Sequence, residues 1–240
     1  MMNKVINIDY SKLSGDAAEM IREVSPETAK AAFGKNVQNV EIAWSSLCNH
    51  AGAGNKKCGS FCINCGADYA TSAYGQFLFD RGLWERVASD IASTGYKGRF
   101  QCNRYNEPFA VGVDDLKFYI GTLRKYNPDC QIIFNTNGDF LTREKLDAAR
   151  DAGLSSLNIQ IYPSLGSGEA HSTETSRKYL EKYEEKFGLK AEPVMECSGI
   201  YDEYKLVYDG VDALVYAKNI PMLGCNRGEA VAVGRPAERR

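Results

Sequence analysis

Apolar and polar residues follow two periods along this chain, and segments of the two kinds alternate. Stretches with strand-like composition and alternation lie at 37–44, 99–102, 131–135, 156–162, 191–196 and 211–216. Between them, helix-like segments lie at 78–94, 114–126, 142–152 and 175–187. In the first two of these, apolar residues recur every three or four positions, the period of a helix that buries one face. Strands that alternate with helices of this length predict βαβ units and a parallel sheet.

Residues typical of helix ends lie at the boundaries of these segments. Thr142 stands where an N-cap is expected, with Lys145 in the position where a capping box has Glu or Gln. Gly153 and Gly188 follow two helical segments, and glycine commonly ends a helix in the left-handed conformation. The ends of the segments therefore support the division into helices and strands.

Six strands after residue 36 predict an α/β fold, a partial (β/α)6 barrel of the TIM-like kind, short of the eight units that close a full barrel. A short helical N-terminal extension is expected at 1–36, with helices at 16–24 and 26–33 and Pro26 in the first turn of the second. The barrel is expected at 37–230 and a tail at 231–240. Ligands of such folds bind at the carboxyl ends of the strands.

Composition limits the classes of function. The 240 residues are 44% hydrophobic, enough for one domain with a sizeable core. Lys and Arg number 29 against 31 Asp and Glu, so neither nucleic acid nor a membrane surface is expected as a partner. No apolar run is long enough for a membrane span, and the N-terminus lacks the apolar core of a signal peptide. We expect a cytoplasmic protein, in which thiols stay reduced.

Three of the eight cysteines form the pattern C-x-x-x-C-x-x-C, at Cys58, Cys62 and Cys65. Gly, Ser, Asn and Lys surround them, which is unlike the apolar surroundings of cysteines that serve as small core residues. Three thiolates on one loop can hold a 4Fe–4S cluster by three of its irons and leave the fourth iron open. The alternative is a zinc site, which usually needs four ligands, with Cys48 or His50 as the fourth.

This cysteine loop resembles the signature of the radical S-adenosylmethionine (SAM) enzymes, and three later segments extend the resemblance over roughly residues 37–230. Asn106-Glu107-Pro108 is similar to the family's Gly-Gly-Glu-Pro-like turn after the second strand, without its glycines. Thr136-Asn137-Gly138 is similar to the turn after the third strand. Gln160 occupies the position on the fourth strand that usually faces the ribose of SAM. Asn64 departs from the aromatic residue that the family prefers before its last cysteine.

The resemblance implies roles for these residues. Cys58, Cys62 and Cys65 would hold the 4Fe–4S cluster, with Cys48 as an alternative first ligand because family members commonly have Cys-Asn directly after the first strand. The SAM-binding residues would be Asn106 and Glu107 at the amino group, and Asn137 and Gln160 at the ribose or carboxylate.

The function that the resemblance implies is that of a radical SAM enzyme. A flavodoxin or ferredoxin would reduce the cluster, and SAM would be cleaved to a 5′-deoxyadenosyl radical that abstracts hydrogen from a small-molecule or peptide substrate. Residues 222–231 also resemble the barrel end of SPASM-type members, which predicts a short relative of that group. The alternative function is a non-catalytic iron–sulfur or zinc-binding protein that transfers electrons or acts as a scaffold.

Overall fold

The computed structural model describes residues 25–47, 77–103, 106–161, 172–197, 201–208 and 210–218. Within these ranges the strands are β1 Asn39–Glu41, β2 Arg99–Gln101, β3 Gln131–Thr136, β4 Ser156–Ile161, β5 Lys190–Cys197, β6 Tyr201–Val207 and β7 Asp212–Lys218. The helices are α1 Pro26–Asn36, α2 Arg81–Ala92, α3 Val113–Tyr126, α4 Arg143–Asp151 and α5 Thr173–Phe187, and a 3₁₀ turn spans Pro108–Ala110. The predicted α/β class is confirmed.

The strands form one seven-stranded sheet in the order β1-β2-β3-β4-β7-β6-β5. The first four strands are parallel neighbours in chain order, and β7 pairs parallel with β4. β6 is antiparallel to both β7 and β5, so it alone runs against the other strands. The prediction of six parallel βα units was therefore wrong for the last strands. The strand predicted as the fifth is β5, which lies at the sheet edge and pairs antiparallel with β6.

One face of the sheet packs against the helices. Phe134 of β3 meets Trp44 with ring centroids 5.0 Å apart, and Trp44 stacks at 5.6 Å on Tyr119 of α3. All three side chains are fully buried. Parallel strands that follow one another in chain order through right-handed connections place their helices on the same face. The core of the molecule therefore lies between this face and the helices.

The opposite face carries the half-buried residues that alternate with the core positions. We call one part of it the amide face because five of the eight residues in that part are amides, and its members are Gln101, Asn103, Ile133, Asn135, Asn158, Gln160, Leu214 and Tyr216. The strand register places three charged residues on the same side of the sheet, Glu41 opposite Gln101, Glu203 opposite Tyr216 and Lys205 opposite Leu214. Of the amides, Asn158 lies in the middle of β4, and the other four, Gln101, Asn103, Asn135 and Gln160, lie at the carboxyl ends of β2, β3 and β4. This is the edge at which the sequence places the ligand site.

The predicted helix boundaries are largely confirmed. The hydroxyl of Thr142 accepts a hydrogen bond from the backbone N–H of Lys145 at 3.2 Å, as an N-cap does. Gly188 follows α5 with φ of 63°, the left-handed conformation that glycine adopts at little cost. Pro26 begins α1, and Ser25 caps it.

Several expectations stay predictions. The helix at 16–24, the segment 222–231 and the C-terminal tail lie outside the described residues. β1 and β5 are the two edges of the sheet, so curvature into a partial barrel and the domain limits are not tested by the pairing. None of the helices in the described ranges has the length and apolar character needed to cross a membrane. A cytoplasmic location remains an expectation.

Candidate functional site

The predicted site residues divide into two groups. Cys58, Cys62 and Cys65, with the alternative ligand Cys48, lie outside the described residues. Asn106, Glu107, Asn137 and Gln160 are described, and all four lie at the carboxyl edge of β2, β3 or β4. No group of three metal-binding side chains occurs within the described ranges, so the cluster site stays a prediction.

Glu107 joins two turns through its carboxylate, and its side chain is almost fully buried. Its Oε1 accepts hydrogen bonds from the hydroxyl of Thr136 at 2.5 Å and from the backbone N–H of Phe109 at 3.2 Å. Its Oε2 accepts a hydrogen bond from the backbone N–H of Asn137 at 2.8 Å. The structure therefore brings two predicted site residues, Glu107 and Asn137, into direct contact.

The backbone of Glu107 adds a third connection. Its N–H donates to the carbonyl of Leu47 at 2.7 Å. Leu47 is the last described residue before the segment that carries the predicted cluster ligands. Leu47 and the turns after β2 and β3 therefore meet at Glu107.

The Thr136-Asn137-Gly138 turn is held by short-range hydrogen bonds. The hydroxyl of Thr136 accepts from the N–H of Gly138 at 3.0 Å, and Oδ1 of Asn137 accepts from the N–H of Asp139 at 3.0 Å. Gly138 has φ of +75°, and a Cβ at this position would lie 2.6 Å from the hydroxyl oxygen of Tyr183. The glycine is therefore required both by its backbone angle and by the close approach of α5.

Glu107 and the two turns that its carboxylate joins are called the Glu107 clamp below. Lys145 places a positive charge next to this clamp. Its Nζ donates to the carbonyl of Phe109 at 2.6 Å, two residues beyond Glu107. Burial lowers the pKa of Lys145, and the negative charge of Glu107 acts against that change. In the sequence Lys145 stood out only as a departure from a capping box. No signal in its local sequence indicates this contact, because the Phe109 carbonyl lies 36 positions earlier in the chain.

Three asparagines form a hydrogen-bonded row across the amide face, which sequence reasoning missed. Oδ1 of Asn103 accepts from the backbone N–H of Asn135 at 2.8 Å and from its Nδ2 at 3.3 Å. Oδ1 of Asn135 in turn accepts from Nδ2 of Asn158 at 2.9 Å. Gln160 lies two residues beyond Asn158 on the same face, opposite Tyr216 of β7. The available signal was an asparagine within or directly after each of three successive strands, but it does not show that the three side chains are in contact.

Other buried polar and thiol groups belong to the core. Asp202 of β6 is fully buried and accepts hydrogen bonds from Ser176 at 2.6 Å and Thr173 at 3.2 Å, which ties α5 to the sheet. Cys102 and Cys130 are buried, and burial raises the pKa of both thiols. Both cysteines therefore serve as small residues of the core.

Comparison with known proteins gives a partial similarity. No family model matches the chain. One curated relative, the S-adenosyl-L-methionine-dependent 2-deoxy-scyllo-inosamine dehydrogenase of Niallia circulans, is 29% identical over 75 residues. The match covers 31% of this chain and 29% of the relative, so the chain spans less than a third of that protein's length.

Two solved structures resemble the fold at a low level. One is BtrN in complex with AdoMet and 2-DOIA, which covers 52% of this chain and 46% of that chain at 22% identity with a TM-score of 0.41. The other is BtrN in an open conformation, which covers 52% and 51% at 23% identity, also with a TM-score of 0.41. Structural similarity this low supports no conclusion about function.

The expected kinship with SPASM-type proteins is wrong. It rested on residues 222–231, which lie outside the described residues. The curated similarity is instead to a SAM-dependent dehydrogenase named for a small molecule. A short apolar, cysteine-containing motif is weak support for kinship with a subgroup, since such segments recur in unrelated contexts.

Proposed function

We propose that this chain is a SAM-dependent enzyme of the radical SAM type. The observation that carries the proposal is the Glu107 clamp, which joins the turns after β2 and β3 to the residue that precedes the cysteine segment. A C-x-x-x-C-x-x-C pattern lies in that segment. The partial similarity to a SAM-dependent dehydrogenase supports the same assignment.

The chain's own residues have distinct tasks in this proposal. Cys58, Cys62 and Cys65 are the ligands of the cluster, with Cys48 as the alternative to Cys58. A 4Fe–4S cluster held by them would supply, after reduction by a flavodoxin or ferredoxin, the electron that cleaves SAM and so generates the species that abstracts hydrogen.

The Glu107 carboxylate has two tasks at the SAM site. It fixes the backbone of Asn137 in place, and its negative charge favours an ammonium group beside the turn. Asn106 and Gln160 are the further SAM-binding residues, at the amino group and the ribose respectively. Because these groups are held by the sheet edge before a ligand arrives, little ordering is needed when SAM binds.

The substrate we propose is a small molecule with hydroxyl groups, oxidised at carbon. The relative's name describes a dehydrogenase that acts on 2-deoxy-scyllo-inosamine, and the five amides of the amide face can donate hydrogen bonds to hydroxyl groups and accept them. A peptide substrate is the other possibility within the same enzyme class.

The second candidate is a non-catalytic iron–sulfur or zinc protein that transfers electrons or acts as a scaffold. One observation favours it: all three hydrogen bonds described above for the Glu107 carboxylate come from the protein itself. A carboxylate that holds two turns together explains its own burial without SAM.

SAM cleavage separates the two candidates. The protein is reconstituted with iron and sulfide without oxygen, reduced in the presence of SAM, and assayed for 5′-deoxyadenosine. We expect 5′-deoxyadenosine from the wild type and from Cys130→Ala, a matched change of a buried core cysteine, and none from Cys62→Ala. Equal product from all three proteins, or none from the wild type, contradicts the proposed function.

The same assay assigns the first cluster ligand. Cys48→Ala and Cys58→Ala are compared under identical conditions, and only one of the two is expected to lose the iron and the product. Cys65→Ala is expected to behave like Cys62→Ala, because both cysteines are ligands in either assignment.

A further inference from the structure

Lys145 stands at a position where a lysine is locally unfavourable. It is the third residue of α4, whose N-cap is Thr142, and a capping box has Glu or Gln there. The positive end of the helix dipole repels a cation in the first turn. The side chain is also half-buried, and burial lowers the pKa of Lys145 because the ammonium group loses contacts with water. Residues that break local rules in this way are found most often at functional or strained sites.

The contact that offsets these costs lies outside α4. Nζ of Lys145 donates a hydrogen bond to the carbonyl of Phe109 at 2.6 Å, although the two residues are 36 positions apart in the chain. The centroid of the Phe140 ring lies 5.7 Å from Nζ, and the carboxylates of Glu107 and Glu144 act on its charge. Lys145 therefore connects the first turn of α4 to the turn after β2.

Phe109 links Lys145 to the Glu107 clamp. Its N–H donates to Oε1 of Glu107 at 3.2 Å, and its carbonyl accepts the bond from Lys145. The next residue, Ala110, donates its N–H to the backbone carbonyl of Glu107 at 3.0 Å. Two bonds thus close the turn from Glu107 to Ala110, and the bond from Lys145 ties that turn to α4. The Phe109 side chain is fully buried against Phe134, which leaves the turn little room to shift.

Charge supports the same arrangement. The negative charge of Glu107 counteracts the lowering of the Lys145 pKa by burial, so the two groups attract each other. Because this attraction is mutual, the ammonium group also stabilises a carboxylate in the buried position of Glu107. A neutral side chain of similar length at position 145 would keep much of the packing but lose both the hydrogen bond and the attraction.

We propose that Lys145 is a positioning residue for the Glu107 clamp: its ammonium group holds the turn from Glu107 to Ala110 so that the carboxylate stays aligned with the turn after β3. Lys145 needs no contact with SAM in this role. The inference deepens the proposed function and rests on it, since the clamp is where the ammonium group of SAM would bind. A turn that is ordered in advance costs less to organise when a ligand binds, so loss of Lys145 weakens SAM binding.

Hydrogen exchange on the full chain tests whether Lys145 holds the turn, and it needs no SAM. The reporters are the N–H groups of Phe109, Ala110 and Asn137, all of which donate to Glu107. Lys145→Met keeps a stem of similar length and removes the charge and the donor. We expect exchange at the three reporters to become at least about tenfold faster in this variant, with unchanged exchange in β7.

Further variants separate this role from a role in α4 alone. Lys145→Gln supplies the residue of a capping box and removes a cation from the positive end of the helix, so α4 by itself should be as stable as before or more so. We nevertheless expect the faster exchange of Lys145→Met, and SAM binding to the reconstituted protein about tenfold weaker in both variants. Lys145→Arg keeps the charge and the donors and should restore both readouts. Lys117→Met, the same change at an exposed position of α3, should match the wild type.

The outcomes separate this inference from the proposed function. Failure of the wild type to bind SAM counts against the proposed function alone, and the exchange rates then still decide whether Lys145 holds the turn. Wild-type exchange rates in Lys145→Met, faster exchange that leaves SAM affinity unchanged, or full SAM affinity in Lys145→Gln overturns Lys145 as a positioning residue. Thermal unfolding of each variant verifies that it is folded.

Discussion

A carboxylate that is only 3% exposed is costly to bury unless hydrogen bonds replace its contacts with water. Glu107 meets this requirement with a hydroxyl and two backbone N–H groups, and Lys145 lies close enough to act on it electrostatically. Such bonds to an ionised group are stronger than bonds between neutral partners. Glu107 therefore sets the geometry of both turns at the predicted site.

Replacing Glu107 by Gln tests this role. The amide keeps one acceptor oxygen but turns an NH₂ group toward either the Asn137 N–H or the donors at Oε1. We expect the free energy of unfolding to fall by about 1–3 kcal/mol, the cost of leaving a buried polar group unsatisfied. Urea unfolding measures it, with Glu192→Gln on the exposed strand β5 as the control. A loss no larger than that of the control would show that the clamp does not stabilise the fold.

Gly138 permits a similar test with a closely matched control. Gly138 and Gly188 both have positive φ, +75° and +63°, but only Gly138 has atoms close to the position of a Cβ. Gly188→Ala should cost about 1 kcal/mol from backbone strain alone. Gly138→Ala should cost more, roughly 2–4 kcal/mol, because it also displaces Tyr183. Equal unfolding midpoints for the two variants would contradict the close packing of α5 on the turn.

At the scale of elements, a hydrogen bond to an ionisable carboxyl group connects α4 to the end of β6. The hydroxyl of Tyr208 donates to Asp147 at 2.5 Å, and Arg143 and Arg150 lie over the Tyr208 ring at 5.4 and 5.1 Å. The Tyr208 hydroxyl, followed by Arg143, lowers the pKa of Asp147 below its usual range. Bonds that lower a carboxyl pKa stabilise the folded state only while the carboxyl is ionised.

Tyr208→Phe should therefore reduce the dependence of stability on acidic pH. The stabilisation from Asp147 is complete above the usual carboxyl pKa and is lost as pH falls through the lowered value. We expect the wild type to lose more free energy of unfolding than Tyr208→Phe between about pH 6 and about pH 2.5. Tyr179→Phe on an exposed helix position is the control, and parallel curves for the wild type and Tyr208→Phe would contradict the assignment.

Some elements could be predicted from the sequence and others could not, for physical reasons. α4 and α5 were predicted because a cap residue and glycines mark their ends. β6 was missed because Asp202, a charged residue, occupies one of its buried positions and interrupts the apolar alternation. Only the hydroxyls of Ser176 and Thr173, 26 and 29 residues earlier in the chain, make that burial possible.

The same distinction applies to the site. Glu107 and Asn137 could be proposed from local motifs, because each lies in a turn that directly follows a strand. The asparagine row could not, since its hydrogen bonds join residues 32 and 23 positions apart and depend on strand register. Lys145 reaches the site from a helix, and nothing in its local sequence indicates where its ammonium group lies.

For the whole molecule, the sheet order explains why the candidate groups share one edge. Four successive parallel strands end side by side, so the turns after β2 and β3 and the end of β4 are neighbours in space. With the helices on one face, the carboxyl edge offers polar groups next to Leu47, the last described residue before the cysteine segment. This arrangement supports the proposed site at this edge.

The most direct test of the central claim is electron paramagnetic resonance of the anaerobically reconstituted, reduced protein with and without SAM. We predict a 4Fe–4S signal that changes when SAM is added, because in the proposed function SAM would bind at the iron that the three cysteines would leave open. Cys62→Ala should lose the signal, and Cys130→Ala should keep it. A cluster signal that SAM leaves unchanged, or zinc in place of iron, would contradict the account and favour a metal-stabilised electron-transfer or scaffold protein.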